Sequence, residues 1–367
     1  MTDKILSVSR RTRTTVFTHR VEASNVKAYT VYNHMLLPTV FESLESDYWH
    51  LCEHVQVWDV SAERQVEITG PDSARLVQLM TPRDISRAVE GQCLYTPLCD
   101  VDGGIINDPI AIKHSDDCWW LSIADSDVKL WAKGLATGFG LDVTVKEPDV
   151  FPLAVQGPKA EELTARVFGD VVRDIRFFHG KMLDYRGTKM YVARSGWSKQ
   201  GGFEIYLNNP GLAHDLWDEL FEQGKDLNVR AGCPNSIERI ESGLLSLGND
   251  FDSSDNPFEC GLDQYIKLDA DIESLSLPAL RAIAGKQTRQ LVGLLFSQPM
   301  HFGDNKVTCN NKVVGEITSS AWSPRYNKHL AFAMMQRDYL DSQTSVEIDG
   351  ISGSISDLPF SSQTLQS

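Results

Sequence analysis

Two short stretches of this 367-residue chain set carboxylates beside hairpin glycines or aromatic residues, a combination able to move a proton or bind a small cation. In Gly103-Gly104-Ile105-Ile106-Asn107-Asp108-Pro109 the acid lies just past a Gly-Gly turn, on an otherwise apolar strand. Pro109 removes the next amide, which predicts a bulge or a sheet edge at that point. A half-desolvated carboxylate there can accept a proton or pair with a cation; capping of the turn by Asp108 is the equal alternative. The second stretch runs from Arg194 to Tyr206 through Ser195-Gly196-Trp197-Ser198-Lys199-Gln200-Gly201-Gly202-Phe203-Glu204-Ile205. Strand alternation puts Glu204 and Tyr206 on one face, and the hairpin brings Trp197 near them. Rings and a carboxylate suit a small cationic or heteroaromatic ligand, through ring-face attraction and charge complementarity. In the structural alternative Trp197 and Phe203 are core and Glu204 is solvated; the central place of the acid between Phe203 and Ile205 favours a binding role.

Other chemistry is excluded by what the chain lacks. It contains no GxxxxGK[ST], GxGxxG or GxSxG, so neither a nucleotide cradle nor a hydrolase nucleophile has support. Gly103-Gly104 and Gly201-Gly202 read as hairpin turns that need no ligand. His50 and His54 would share a helix face at i, i+4, but Glu53 is misplaced for HExxH and no third ligand follows. An amphipathic helix entering a strand at Val57 is expected, with no metal. The seven cysteines (52, 93, 99, 118, 233, 260, 309) show no CxxC spacing and read as reduced intracellular thiols.

Composition bounds the rest. A 42% hydrophobic and 23% charged chain is an ordinary globular protein, and 35 basic against 50 acidic residues, net −15, argue against a nucleic-acid partner. No run approaches the roughly 18 apolar residues of a membrane span, and residues 1–15 lack an apolar signal core. Arg10-Arg11 is followed by polar Thr12-Arg13-Thr14-Thr15, so Arg10, Arg11 and Arg13 read as a solvated N-terminal arm. A cytoplasmic protein, without membrane contact and able to form a homodimer, is expected.

The elements that must carry these residues repeat. Residues 65–76 alternate like a strand, turn at Gly70-Pro71 and continue as a helix; residues 153–163 repeat the design around Gly157-Pro158, 87 positions later. Pro after Gly fits the first position of each helix. Two β-rich runs and a helix follow in each copy: 104–113, 118–123 and 127–135 in the first, 188–194, 202–207 and 212–220 in the second. The last helices carry Trp131 and Trp217, 86 positions apart. Two concordant offsets predict a duplicated α+β core with two similar sheets about a pseudo-twofold axis. Beyond Leu262 the texture changes. A connection over 275–284 leads into short β runs at 290–296, 306–308, 313–319, 330–335 and 345–348, read as a small antiparallel barrel or sandwich, and residues 361–367 read as a frayed polar tail.

In this order and spacing the chain resembles the aminomethyltransferase family, the folate-dependent T-protein of the glycine-cleavage system and its relatives. The resemblance is carried by Asp59-Val60-Ser61 with Gly70-Pro71, Gly91-Gln92 to Tyr95, Gly103 to Asp108, and Leu153 to Pro158. It continues through Arg194 to Ile205, Arg239-Ile240-Glu241-Ser242-Gly243 to Gly248-Asn249-Asp250, Glu259 to Leu262 and Gly315 to Pro324. It implies an α+β three-domain ring: two ferredoxin-like-type pseudo-repeats, in segments 1–149 and 150–274, and a C-terminal antiparallel β-barrel domain over 275–367.

The departures are informative. The T-protein pattern has an Asp pair where this chain has Asn107-Asp108, and its Tyr-Thr-Gly-Glu hairpin reads Trp197-Ser198-Lys199-Gln200. Its Asp-Ser reads Asn235-Ser236, with one extra residue before Arg239. Loss of the first acid disfavours aminomethyl cleavage. A sulfonium is an already activated methyl donor whose thioether leaving group needs no general acid, so alignment and a dry cation pocket suffice. The resemblance thus implies methyl transfer from a small sulfonium to tetrahydrofolate as co-substrate, with no metal and no flavin. It implies Glu204 and Tyr95 at the folate, Trp197 and Tyr206 as the aromatic wall for the sulfonium, and Asp108 for the proton at folate N5. Demethylation of a methylated glycine and a non-catalytic folate-binding regulator are the rivals.

Overall fold

The computed structural model describes residues 9–300, 303–341 and 345–366; the first eight positions of the N-terminal segment and Ser367 of the tail lie outside the described residues. The chain divides into two compact units made of interleaved segments: residues up to 65 with 148–196 and 200–234, and residues 66–147 with 197–199 and 235 onward.

The first unit is built on a six-stranded sheet in the order Gly180–Tyr185, Thr188–Ala193, Gly202–Leu207, Phe151–Gln156, Val55–Asp59 and Val229–Gly232. All neighbours are antiparallel except the last pair. Helices Ala160–Phe168 and Ala213–Gln223 share one core with this sheet: Leu163, Phe168, Leu216 and Trp217 are buried with Leu153, Val155, Phe203 and Ile205. With Phe203 and Ile205 facing the helices, Glu204 and Tyr206 point to the opposite face, as the two-residue period requires.

In the second unit a five-stranded sheet runs Thr144–Lys146, Gln65–Thr69, Cys118–Ser122, Ile110–Ser115, Cys93–Tyr95, with helices Ser73–Met80 and Val128–Phe139 contributing to its core through Leu76, Val77, Met80 and Ala132. The C-terminal strands close into a six-stranded antiparallel barrel, Arg289–Phe296, Lys328–Gln336, Lys312–Ser323, Lys306–Cys309, Ser345–Ile348 and Ile351–Ser356, filled by Leu294, Phe296, Val307, Ala333 and Met335. The barrel form of the two expected is the one adopted, and the helix Leu277–Ile283 occupies the expected connection.

The duplication is real at the level of topology. Gln65–Thr69, Cys118–Ser122, Ile110–Ser115, Cys93–Tyr95 in one sheet and Phe151–Gln156, Gly202–Leu207, Thr188–Ala193, Gly180–Tyr185 in the other have the same neighbour order. Both Gly-Pro turns also close identically: Ser73 N donates to Gly70 O at 3.0 Å, and Ala160 N to Gly157 O at 3.0 Å. Each proline is therefore the second residue of a β-turn, and the helix begins two residues after it, which corrects the expected first-helical position. The glycines are required at φ +126° and +119°, because a Cβ would lie 2.5 Å from Asp142 O and 2.4 Å from His54 O.

Three further expectations are refined. The strand expected over 104–113 breaks at Asp108-Pro109: Ile105–Asn107 pairs with Leu98–Cys99, and Ile110–Ser115 joins the large sheet. The N-terminal arm is solvated at Arg10, Arg11 and Arg13, yet its backbone is anchored, Arg13 N donating to His34 O at 2.7 Å. The tail is not frayed through 366. It forms the helix Ser362–Gln366 because Leu365 is an apolar side chain that gets buried, and Ser361 Oγ accepts from Thr364 N at 3.0 Å. Among the described residues no helix is long and apolar enough to cross a membrane.

Candidate active site

Asp108 sits where the chain leaves one ladder and enters another, so its backbone is held while its side chain is free to face inward. Thr96 N donates to Pro109 O at 2.8 Å across this switch. Tyr95, at the end of its strand, donates its phenol to Asp108 Oδ2 at 2.9 Å. Burial pushes the Asp108 carboxyl up to about 7, with the nearby Asp250 carboxylate adding to the rise and the Tyr95 hydrogen bond opposing it. Burial and the charge and hydrogen bond of Asp108 hold the Tyr95 phenol well above its ordinary value. The Tyr95 ring lies 4.9 Å from that of Tyr265, over which the Arg83 guanidinium sits at 5.3 Å; Arg83 also donates to Tyr95 O at 2.5 Å. The structure thus joins Tyr95 to Asp108 as a phenol–carboxyl pair, and Asp108 is not the turn cap. That task falls to Asp100, whose Oδ1 accepts from Gly104 N at 2.9 Å.

Asn107 is fully buried and occupied. Its Nδ2 donates to Ala124 O (3.0 Å) and Ser126 Oγ (2.8 Å), and its Oδ1 accepts from Ala124 N (3.1 Å). The residue standing for the first acid of the T-protein pattern is therefore tied to the 124–126 loop, which leaves Asp108 as the one carboxyl of the pair.

In the first unit Glu204 is 7% exposed, which removes the solvated alternative, while Phe203 is core. Its cross-strand neighbours are Ala154 and Ala193, two small side chains on the same face. Ser195 Oγ donates a short hydrogen bond to Glu204 Oε2, and Tyr206 OH reaches the same oxygen at 3.4 Å. Burial raises the Glu204 carboxyl and these two hydroxyls oppose the rise. The Tyr206 ring packs 5.6 Å from Tyr191. Gln156 Nε2 fixes the Ser195 carbonyl at 3.1 Å, and a Cβ at Gly196, φ +143°, would collide with the Gln156 amide.

Trp197 lies in the loop that joins Thr188–Ala193 to Gly202–Leu207. It is half-buried and belongs with Ser198 and Lys199 to the second unit, where the Arg239 guanidinium lies 5.9 Å from its ring centroid. Arg239 is itself clamped by Asp250 Oδ2 at 2.7 Å, Leu244 O at 3.2 Å and Ser319 Oγ at 2.5 Å. Sequence reasoning assigned no role to Ser195, Arg239, Asp250 or Tyr265. For Ser195 a signal existed: it follows Ala193 by two residues, and Ala193 is the register partner of Glu204. The other three come from remote positions, and no local spacing announces them.

The rings of His50 and His54 lie 5.0 Å apart and tilted by 49°, His50 in the last turn of the helix Leu44–Glu53 and His54 at its C-terminal cap, just before the strand Val55–Asp59. His50 Nε2 meets Asn228 O at 2.8 Å, and burial lowers the ring to about 4, while His54 Nδ1 meets Lys159 Nζ at 3.0 Å. Among the described residues no group of three or more His, Cys, Asp or Glu could hold a metal ion. A groove of about 460 Å³ in the first unit, lined by Lys27, Glu42, His50, Gln56 and Arg230, contains none of the sequence-predicted site residues.

With this geometry in place, comparison with known proteins is informative. The solved glycine cleavage system aminomethyltransferase T from Bartonella henselae superposes with TM-score 0.85 over 96% of this chain and 98% of that one, at 22% identity, so the fold is shared. A dimethylsulfoniopropionate demethylase of Ruegeria pomeroyi is 49% identical over 343 residues, covering 93% of this chain and 94% of the relative. An aminomethyltransferase of Clostridium botulinum is 30% identical over 322 residues, 85% of this chain and 86% of the relative. Residues 17–270 match the GCVT N-terminal domain and residues 289–360 the glycine cleavage T-protein C-terminal barrel domain. The chain belongs to the glycine-cleavage T-protein, or aminomethyltransferase, family.

Proposed function

We propose that this protein is a tetrahydrofolate-dependent methyltransferase that takes one methyl from dimethylsulfoniopropionate and leaves methylthiopropionate and 5-methyltetrahydrofolate. The observation that carries the substrate is the 49% identity, over nearly the full length of both chains, to a demethylase of that sulfonium. The engagement of Asn107 by the 124–126 loop supports it, because a single carboxyl then remains for proton work, and a neutral thioether leaving group asks for no acid.

The residues fit the co-substrate. A reduced pterin presents an amino group and ring N–H donors, and Glu204 supplies a buried acceptor flanked by two alanines. Tetrahydrofolate supplies, when bound, the secondary amine that takes the methyl and the proton that must then leave. Asp108 receives that proton: with its carboxyl raised to about 7 it is substantially ionised at neutral pH yet basic enough to accept. Tyr95 orients Asp108 and lines the folate with its ring. Trp197 and Tyr206 offer ring faces to the sulfonium, a contact worth about 0.5–2 kcal/mol according to desolvation. The Arg239 guanidinium beside Trp197 is paired with Asp250, so its charge opposes a second cation less than a free guanidinium would.

The test is an anaerobic incubation of purified protein with both substrates. Stoichiometric methylthiopropionate and 5-methyltetrahydrofolate are expected. Absence of methylated folate refutes the assignment, and competition by dimethylglycine at equal concentration transfers it to methylated glycines.

A further inference from the structure

The loop carrying Trp197 leaves the strand Thr188–Ala193 and returns as Gly202–Leu207, and its tip, 197–199, is held by a helix some forty residues downstream, as the 39-residue separation of Lys199 and Glu238 records. Lys199 N donates to Glu238 Oε1 at 2.9 Å, and Ser242 Oγ donates to the same oxygen at 2.7 Å from one turn further along the helix Ser236–Ser242. Glu238 is 1% exposed. Its own backbone is fixed at the helix start, where Asn235 Oδ1 accepts from Ile237 N at 3.0 Å and Glu238 N at 3.2 Å. The next residue is Arg239, whose guanidinium faces the Trp197 ring and is locked by Asp250, Leu244 and Ser319. One helical turn thus grips the tip twice, at the backbone through Glu238 and at the ring through Arg239. Glu238 also falls in the stretch that holds one residue more than the T-protein pattern.

A buried carboxylate accepting a loop amide makes a charge-assisted bond, stronger than a neutral one, and its removal leaves that amide unpaired. A ring that is to bind a cation gains from being fixed before the ligand arrives, since ordering it on binding costs affinity. We propose that Glu238 is a positioning residue: its carboxylate sets the backbone of the 197–199 tip and thereby holds the Trp197 ring against Arg239, ready for the sulfonium. The kinetic consequence rests on the reading of Trp197 given above; the positional claim does not.

The experiment uses the full chain labelled with 5-fluorotryptophan, the Trp197 fluorine signal being assigned by its loss in Trp197→Phe. In Glu238→Ala the Trp197 signal is expected to shift or broaden while the signals of the other seven tryptophans stay in place. Glu238→Gln, which keeps an acceptor oxygen, is expected to restore it. KM for the sulfonium is expected to rise about tenfold in Glu238→Ala, folate KM changing less than about twofold, with most of the loss recovered in Glu238→Gln. An unmoved Trp197 signal in Glu238→Ala overturns the proposal whatever the kinetics. A moved signal with unchanged sulfonium KM supports the positioning role and overturns Trp197 as the sulfonium contact. Should Glu238→Ala not fold, amide exchange in the unmodified protein decides: a protected Lys199 N–H supports the proposal, and exchange at the rate of an open loop overturns it.

Discussion

The two copies of the repeat share a strand order and a turn, yet they place their chemistry at opposite ends of the same hairpin. In the first copy Ile110–Ser115 returns as Cys118–Ser122 through Asp116-Asp117 alone, and the acid lies before the hairpin, at Asp108. In the second copy the equivalent strands, Thr188–Ala193 and Gly202–Leu207, are joined by residues 194–201, and Ser195, Trp197 and Lys199 come from that extended loop. Duplication therefore supplies two rigid platforms, and function resides where the copies differ. Their carboxylates differ as well. Asp108 is raised to about 7 with one phenol donor, a group poised to change its protonation state. Glu204 sits in mid-strand between two alanines with two hydroxyls on one oxygen, an acceptor built to stay in place.

The strongest challenge to this contrast is to make the copies alike. Replacing residues 194–201 by the two-residue turn of the first copy is expected to lower turnover by at least about 10³-fold, since it removes Ser195 and Trp197 together, while cooperative thermal unfolding persists. Retained turnover would show that the extended loop is dispensable.

Next in size, Asp108→Asn is expected to lower kcat by about 10²–10⁴-fold, the range of a lost proton acceptor, with both KM values little changed. It should also stabilise the fold. The Asp108 carboxyl is raised from 3.8 in the unfolded chain to about 7 in the folded one, so its contribution to stability is present in full below 3.8 and is lost as pH rises through about 7. The variant's gain in Tm should therefore be larger at pH 8 than at pH 5, and an equal gain at both would contradict the burial argument. Glu204→Gln should weaken folate binding by about 10–100-fold, the worth of hydrogen bonds to a charged acceptor, and leave the pH profile alone. The smallest change is in Tyr95→Phe. The pH profile of kcat/KM should rise through about 7 as Asp108 ionises, and loss of the phenol, whose hydrogen bond holds that carboxyl down, should move the limb to higher pH.

Much of this was legible in the sequence because it is local. Strand alternation put Glu204 and Tyr206 on one face, two Gly-Pro turns exposed the duplication, and β-branched runs among turn residues marked the barrel. Pro109 announced an interruption, although not that Asp108 would mark the passage between two sheets. What escaped is non-local. Arg239 and Asp250 form their buried pair across an 11-residue separation and reach the barrel through Ser319 and Thr318. Tyr265 meets Tyr95 from a distant segment. The tip of the 194–201 loop is likewise held by Glu238, across a 39-residue separation from Lys199.

The central claim is that a methyl moves intact from a sulfonium to folate nitrogen. It is tested most directly by a single turnover with methyl-deuterated dimethylsulfoniopropionate and tetrahydrofolate in the absence of oxygen. The expected result is all three deuterons in 5-methyltetrahydrofolate, in one-to-one yield with methylthiopropionate. Loss of deuterium, release of formaldehyde or unlabelled folate would contradict it.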